Sequence, residues 1–115
     1  MASYEILQSQ ERLDELMAAT ETRRCILFKH SLTCPVSTAG FREFEKYLDG
    51  REDSGDAVFA LIQIQKQRPL SNHVAQVTGV RHESPQALIM QEGKVLWHAS
   101  HWAITEASLK DAFEG

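Results

Sequence analysis

The chain has little of what staples, spans or binds by charge. Cysteine occurs only twice, at Cys25 and Cys34. That is too few for the disulfide framework of a small secreted domain. A zinc site needs four convergent ligands, and these two cysteines and the scattered histidines show no such spacing, so no metal is expected. No apolar run approaches the roughly 20 residues of a membrane-spanning helix, and no signal-like apolar stretch opens the sequence. Basic residues are in the minority: 12 Lys and Arg against 16 Asp and Glu leave a net charge of −4. No basic stripe marks a nucleic-acid surface. Repeats, linkers and low-complexity segments are absent too, so residues 1–115 read as a single domain. What remains is ordinary globular material, 43% hydrophobic and 24% charged, enough for one core. Thiols kept reduced in the cytoplasm are the expected setting, without nucleic acid or membrane as partner.

Proline is scarce as well, three in all, and each stands at the start of an element. The most informative is Pro35. An apolar run, Ile26-Leu27-Phe28, precedes the stretch Lys29-His30-Ser31-Leu32-Thr33-Cys34-Pro35-Val36-Ser37, and a helical pattern follows it. Proline suits the first helical position, because its missing N–H would be unpaired there and its φ is already helical. Cys34 is then the N-cap, where a thiolate accepts from the amides of Val36 and Ser37 and meets the positive end of the helix dipole. Helix N-termini lower cysteine pKa values from about 8.5 to roughly 3.5–7.5. Cys34 is read as a nucleophile.

Around this point the elements are expected in the order β-α-β-α-β-β-α, with an extra strand and helix in front. Tyr4–Leu7 reads as a short edge strand. Ser9 caps a helix to about Ala19, with Leu13, Leu16 and Met17 on one face. Residues 24–29 form a strand buried on both faces. The helix after Cys34 runs to about Leu48 with Phe41, Phe44, Tyr47 and Leu48 at helical spacing, and Gly50 with the polar residues 51–55 ends it. Residues 57–64 are a second buried strand, which implies a parallel βαβ unit. Pro69 starts a helix carrying Val74 and Val77 and stopping at Gly79. Gln86–Met90 and Lys94–Trp97 flank a hairpin turn at Gln91-Glu92-Gly93. Thr105 caps a last helix with Ala107, Leu109, Ala112 and Phe113 as its apolar set.

A parallel βαβ half followed by a hairpin and a helix resembles the thioredoxin arrangement: an α/β fold with a central mixed four-stranded sheet flanked by helices, here with the extra N-terminal strand and helix. Pro85, directly before the third core strand, looks like the cis proline of that fold. There it lies against the reactive sulfur, and the backbone before it, here Ser84, pairs with an extended substrate. The match narrows further. Lys29-His30-Ser31 ahead of Thr33-Cys34-Pro35-Val36-Ser37, together with Ser84-Pro85-Gln86 and Ser100-His101-Trp102-Ala103-Ile104-Thr105, resembles the YtxJ-like family of monothiol bacilliredoxins. The resemblance implies a cytoplasmic thiol–disulfide oxidoreductase that removes bacillithiol, or a similar low-molecular-weight thiol, from mixed disulfides on protein cysteines. It implies no tightly bound cofactor, the small thiol being a co-substrate. Cys34 would be the one redox-active residue, within a Thr33-Cys34-Pro35 motif.

The residues themselves point the same way. A dithiol enzyme carries Cys-x-x-Cys, and position 37 is serine. One turn from Cys34, Ser37 can hydrogen-bond the sulfur but cannot resolve a mixed disulfide. Cys25 opens the preceding strand, on the order of 15 Å from its far end at about 3.3 Å per residue; a disulfide needs Cα atoms within about 7 Å. Cys25 is therefore read as core. His101 and Trp102 follow the strand that runs back towards Cys34. Either they line the substrate groove, or Trp102 packs under the last helix while His101 caps a turn. His30 either tunes Cys34 or is a solvated loop histidine; Arg81 either receives a carboxylate of the small thiol or is plain surface. His73, His82 and His98 are given no role. Two other classes compete: a thiol peroxidase, whose Pro-x-x-x-Thr-x-x-Cys motif is out of register here because position 27 is leucine, and a thioredoxin-like adaptor that binds without turnover. An iron–sulfur carrier fits less well, since Pro35 stands where such carriers have glycine.

Overall fold

The computed structural model describes residues 2–52 and 55–115, so Asp53 and Ser54 of the polar stop after Gly50 lie outside it. Two apolar runs set the architecture. They form β2 (Arg24–His30) and β3 (Ala57–Gln63), paired in parallel from Arg24↔Ala57 to His30↔Gln63. The intervening α2 (Pro35–Asp49) makes the crossover that a parallel pair requires. β1 (Glu5–Ile6) adds to β3 in parallel, and β4 (Gln86–Gln91) lies antiparallel to β2 on its other side. β5 (Lys94–Ser100) completes the mixed sheet, in the order β1-β3-β2-β4-β5. The four core strands and the extra N-terminal strand are those expected.

Strand alternation divides the core into two layers. Ile26 and Phe28 of β2 face Phe44 of α2 and Leu109 and Phe113 of α4 (Glu106–Glu114). Cys25 and Leu27 face the other way, onto Leu13 and Leu16 of α1 (Gln10–Ala19) and Leu70 and Val74 of α3 (Arg68–Thr78). Each fully buried aliphatic or aromatic side chain contributes roughly 1.5–3 kcal/mol.

The caps follow from local chemistry. Ser9 accepts from the Arg12 amide, and Thr105 closes a reciprocal capping box with Ser108. Gly79 ends α3 in the left-handed region at φ 73. The hairpin turn is Glu92-Gly93, both at positive φ (54 and 71), as a two-residue turn of the primed type requires. Three details depart from the sequence reading. β5 continues three residues past Trp97, to Ser100, because its partner β4 starts at Gln86 and pairs Gln86↔Ser100. Val77 is 52% exposed; α3 buries Leu70, Ser71 and Val74 instead. Ala107 is exposed as well, leaving Leu109 and Phe113 to anchor α4. None of the helices in the described residues is long and apolar enough to cross a membrane.

Candidate active site

Three chain reversals meet at one end of strands β2, β4 and β5. β2 ends at His30 and passes through residues 31–34 into α2. Residues 79–85 lead into β4, whose first residue, Gln86, is paired with both Lys29 and Ser100. Directly after Ser100 comes a 3-10 turn, His101–Ala103. Cys34, the loop ahead of Pro85, and the His101-Trp102 turn are therefore neighbours by register.

Cys34 is half-buried and is the N-cap of α2, with extended backbone (φ −100, ψ 121) and Pro35 at the first position. Its carbonyl accepts the first helical bond, from the Thr38 amide at 3.1 Å. The sulfur, however, makes no capping hydrogen bond, so the expected bonds from Val36 and Ser37 are not formed. Ser37 does not bond the sulfur either. Its side chain is fully buried, its Oγ accepts from the Ser31 amide at 2.8 Å, and it lies 2.9 Å from His30 Nδ1. A hydroxyl has one proton. With one lone pair taken by the Ser31 amide, the Ser37 hydroxyl still has its proton and a second lone pair, so it pairs with Nδ1 in either tautomer of His30. His30 is thus neither solvated nor a partner of the thiol: its ring stacks on Phe41 at 4.9 Å, and burial pulls its pKa below the ordinary value, with Ser37 pulling the other way.

The Ser84–Pro85 bond is cis. Pro85 is buried against α2 at Gly40, where a Cβ would stand 3.4 Å from Pro85 Cγ and 3.5 Å from Phe28 Cζ. A glycine inside a helix costs about 1 kcal/mol relative to alanine; here an alanine methyl would meet the proline loop at ordinary van der Waals contact, and only a larger side chain would hold it off α2. The Pro85 carbonyl accepts from the His101 amide at 3.1 Å, and His101 takes the left-handed backbone (φ 54) uncommon for a residue with a side chain. Its ring lies 3.5 Å from Glu83, whose carboxylate also accepts from Ser100 Oγ at 2.6 Å; that hydrogen bond is the main reason Glu83 sits below the usual carboxylate range. Trp102 is 71% exposed, which overturns the reading that packs it under the last helix. A cavity of about 200 Å³ between α2 and the turn is lined by Gly40, Glu43, His101 and Trp102. The Ser84 hydroxyl is buried without a partner among the described residues. Arg81 has an exposed side chain; its carbonyl accepts from Gln86 Nε2 at 2.9 Å, which fastens the loop before Pro85.

Cys25 is excluded as a second thiol. It is fully buried, and burial pushes its pKa up to about 12. Both cysteines are free. Among the described residues no three His, Cys, Asp or Glu converge as metal ligands.

Sequence reading missed four residues here. Gly40 carried a signal, a glycine inside a helical pattern. Gln65 carried none: from the β3–α3 connection it reaches Ser31, Leu32 and Thr33, so the Thr33 hydroxyl is already engaged at 3.2 Å. Lys29 and His82 form a buried contact, with Lys29 Nζ 3.0 Å from the Ser71 carbonyl and 3.3 Å from His82 Nδ1.

A strand-to-helix cysteine facing a cis-proline loop across a mixed sheet defines a thioredoxin-fold thiol–disulfide oxidoreductase. The solved structures agree. One, described only as a candidate oxidoreductase with a thioredoxin fold, is 31% identical, with a TM-score of 0.82 over 95% of this chain and 92% of its own. Thioredoxins from Malassezia sympodialis (14% identity, TM-score 0.75, covering 99% and 90%) and Fasciola hepatica (13%, 0.73, 96% and 96%) share the fold. The sequence profile of the monothiol bacilliredoxin BrxC family matches residues 5–109, and the chain belongs to that family.

Proposed function

We propose that this protein is a monothiol redoxin that frees protein cysteines from a low-molecular-weight thiol, bacillithiol or a close equivalent, in the cytoplasm. The observation that carries the proposal is the pairing of one accessible cysteine with an inert one: Cys34 is half-buried at a helix start with serine three residues on, whereas Cys25 is sealed in the core. The Cys34 thiolate attacks the small-thiol sulfur of the mixed disulfide. That S–S bond breaks, a new one forms to Cys34, and the electron pair leaves with the protein thiolate. An outside thiol, as thiolate, then attacks the Cys34 adduct and leaves as the small-molecule disulfide, restoring Cys34.

The rest of the site supports this reading. The N-terminus of α2 favours negative charge. The cis-proline loop presents Ser84 beside α2 for an extended partner, and Thr33 and Pro35 frame the sulfur. His101, Trp102 and the cavity beside them offer an aromatic face and an imidazole for the rest of the substrate. The test is reduction of an S-thiolated protein with an external thiol as reductant. Cys34→Ala should abolish turnover and Cys25→Ala should leave it within a few-fold; activity retained without Cys34 would end the proposal. Prompt alkylation of Cys34 without turnover on any mixed disulfide would favour the adaptor reading.

A further inference from the structure

We propose that Gln65 is a positioning residue for Cys34, an inference that rests on the monothiol reading for the identity of the reaction. Gln65 belongs to neither element that flanks the cysteine. It follows β3, yet each of its three side-chain hydrogen bonds goes to the residues just ahead of Cys34. Its Oε1 accepts from the Leu32 amide at 2.9 Å, and its Nε2 donates to Ser31 Oγ at 2.8 Å and to Thr33 Oγ1 at 3.2 Å. Both amide protons and one lone pair are used, so the carboxamide has a single orientation that satisfies all three.

The loop needs such a partner. Among the described residues the amides of residues 31–34 make no backbone–backbone hydrogen bond. Two side chains hold the segment: Ser37 takes the Ser31 amide from inside, and Gln65 takes Leu32 and both hydroxyls from outside. Leu32 is 42% exposed and gives the loop no apolar anchor. Hydrogen bonds as exposed as those of Gln65 add little to global stability. Their effect is on conformation: they fix the path from His30 to Cys34, and hence the direction from which the sulfur meets a disulfide. Thiol–disulfide exchange depends on that approach, and an error of about 1 Å in placement costs up to about 100-fold.

Three variants test this. Gln65→Ala removes all three bonds. Gln65→Asn keeps the carboxamide on a shorter arm that cannot span the same contacts. Gln65→Glu keeps the acceptor for Leu32, and the Ser31 and Thr33 hydroxyls can turn to donate to it. Mixed-disulfide reduction should fall about tenfold or more in Gln65→Ala and Gln65→Asn, with thermal midpoints within about 3 °C of wild type. Gln65→Glu should stay within about threefold at high salt, where its charge is screened. Alkylation of Cys34 by iodoacetamide provides a readout independent of the redox reaction, and it should change severalfold in Gln65→Ala but not in Gln65→Glu at high salt. Reduction and alkylation both within twofold of wild type in Gln65→Ala would overturn the proposal, as would losses that follow the thermal midpoint in all three variants. If the wild type reduces no mixed disulfide, the monothiol reading fails, and the alkylation series still decides the role of Gln65.

Discussion

Lys29 gives the most quantitative test of the fold around the site. It alternates with Cys25 and Leu27 on β2 and is fully buried, its Nζ shared between the Ser71 carbonyl and His82. Burial lowers its pKa from 10.5 to about 8. His82 is also held below its ordinary value, first by burial and then by the charges of Lys29 and Arg68. A lysine depressed by about 2.5 units costs the folded state roughly 3 kcal/mol at pH 7, at about 1.4 kcal/mol per unit. The sign follows from proton counts. Between about pH 8 and 10.5 the unfolded chain binds more protons at this site than the folded one, so its contribution to stability rises with pH; below about pH 8 the full penalty stays. From pH 7 to pH 9 the wild type should gain a little over 1 kcal/mol from Lys29 (about 1 unit of linkage). Cys25 and Tyr47, both pushed up to about 12 mainly by burial, act in the opposite direction at higher pH. The informative quantity is therefore the difference from Lys29→Met, which keeps the length and removes the charge. Urea unfolding of both proteins at pH 7, 8 and 9 should give wild-type stability that gains on the variant by about 1 kcal/mol. At pH 7 the variant also gives up the charged hydrogen bond from Lys29 Nζ to the Ser71 carbonyl, at about 1.5–3 kcal/mol, so the net change there is small. Parallel curves from pH 7 to 9 would refute the burial argument.

Other perturbations bear on the catalytic arrangement. Ser37→Cys creates a Cys-x-x-Cys pair across one turn of α2; its thiol should displace the small thiol from Cys34 intramolecularly, leaving an internal disulfide visible by mass and a dependence on dithiol reductants. Cys25→Ala should cost about 1–2 kcal/mol in urea unfolding, through the cavity it leaves, without impairing turnover. Gly40→Ala should be tolerated, since its nearest contacts at 3.4 and 3.5 Å fall in the ordinary range. Gly40→Val should overpack against Pro85 and Phe28, cost about 1–3 kcal/mol and slow mixed-disulfide reduction.

Much of this fold could be read from the chain because its signals are local. The double-faced apolar runs at 25–28 and 57–62, the cap at Ser9, the proline after Cys34 and the turn at Gly93 each reflect the conformation of a few neighbouring residues. The site was legible where it is also local, at Cys34-Pro35; Ser84-Pro85 was reached through the resemblance to the thioredoxin arrangement, because an X-Pro sequence does not show its isomer. What escaped depends on partners distant in sequence. Ser37 shares a helix turn with Cys34, but whether its hydroxyl meets the sulfur or the Ser31 amide is decided by how the loop folds back. Gln65 is a polar residue in a polar connection, and nothing in its surroundings tells that it serves a loop more than 30 residues earlier. Lys29 stands on the buried face by strand alternation, yet its charge argues for the surface; only the carbonyl of Ser71 and the ring of His82 make the buried position tenable. Trp102 could be read either as groove lining or as packed under the last helix, and the left-handed turn at His101 leaves it exposed.

The central claim, one working thiol and no internal partner, is tested most directly by intact mass after a single turnover. Reduced protein is mixed with a protein carrying one small thiol in mixed disulfide, with no other thiol present, and quenched with acid. The account predicts one small-thiol adduct on Cys34, a free Cys25 and an equal amount of liberated substrate. A Cys34–Cys25 disulfide, or a return to two free thiols without added reductant, would contradict it.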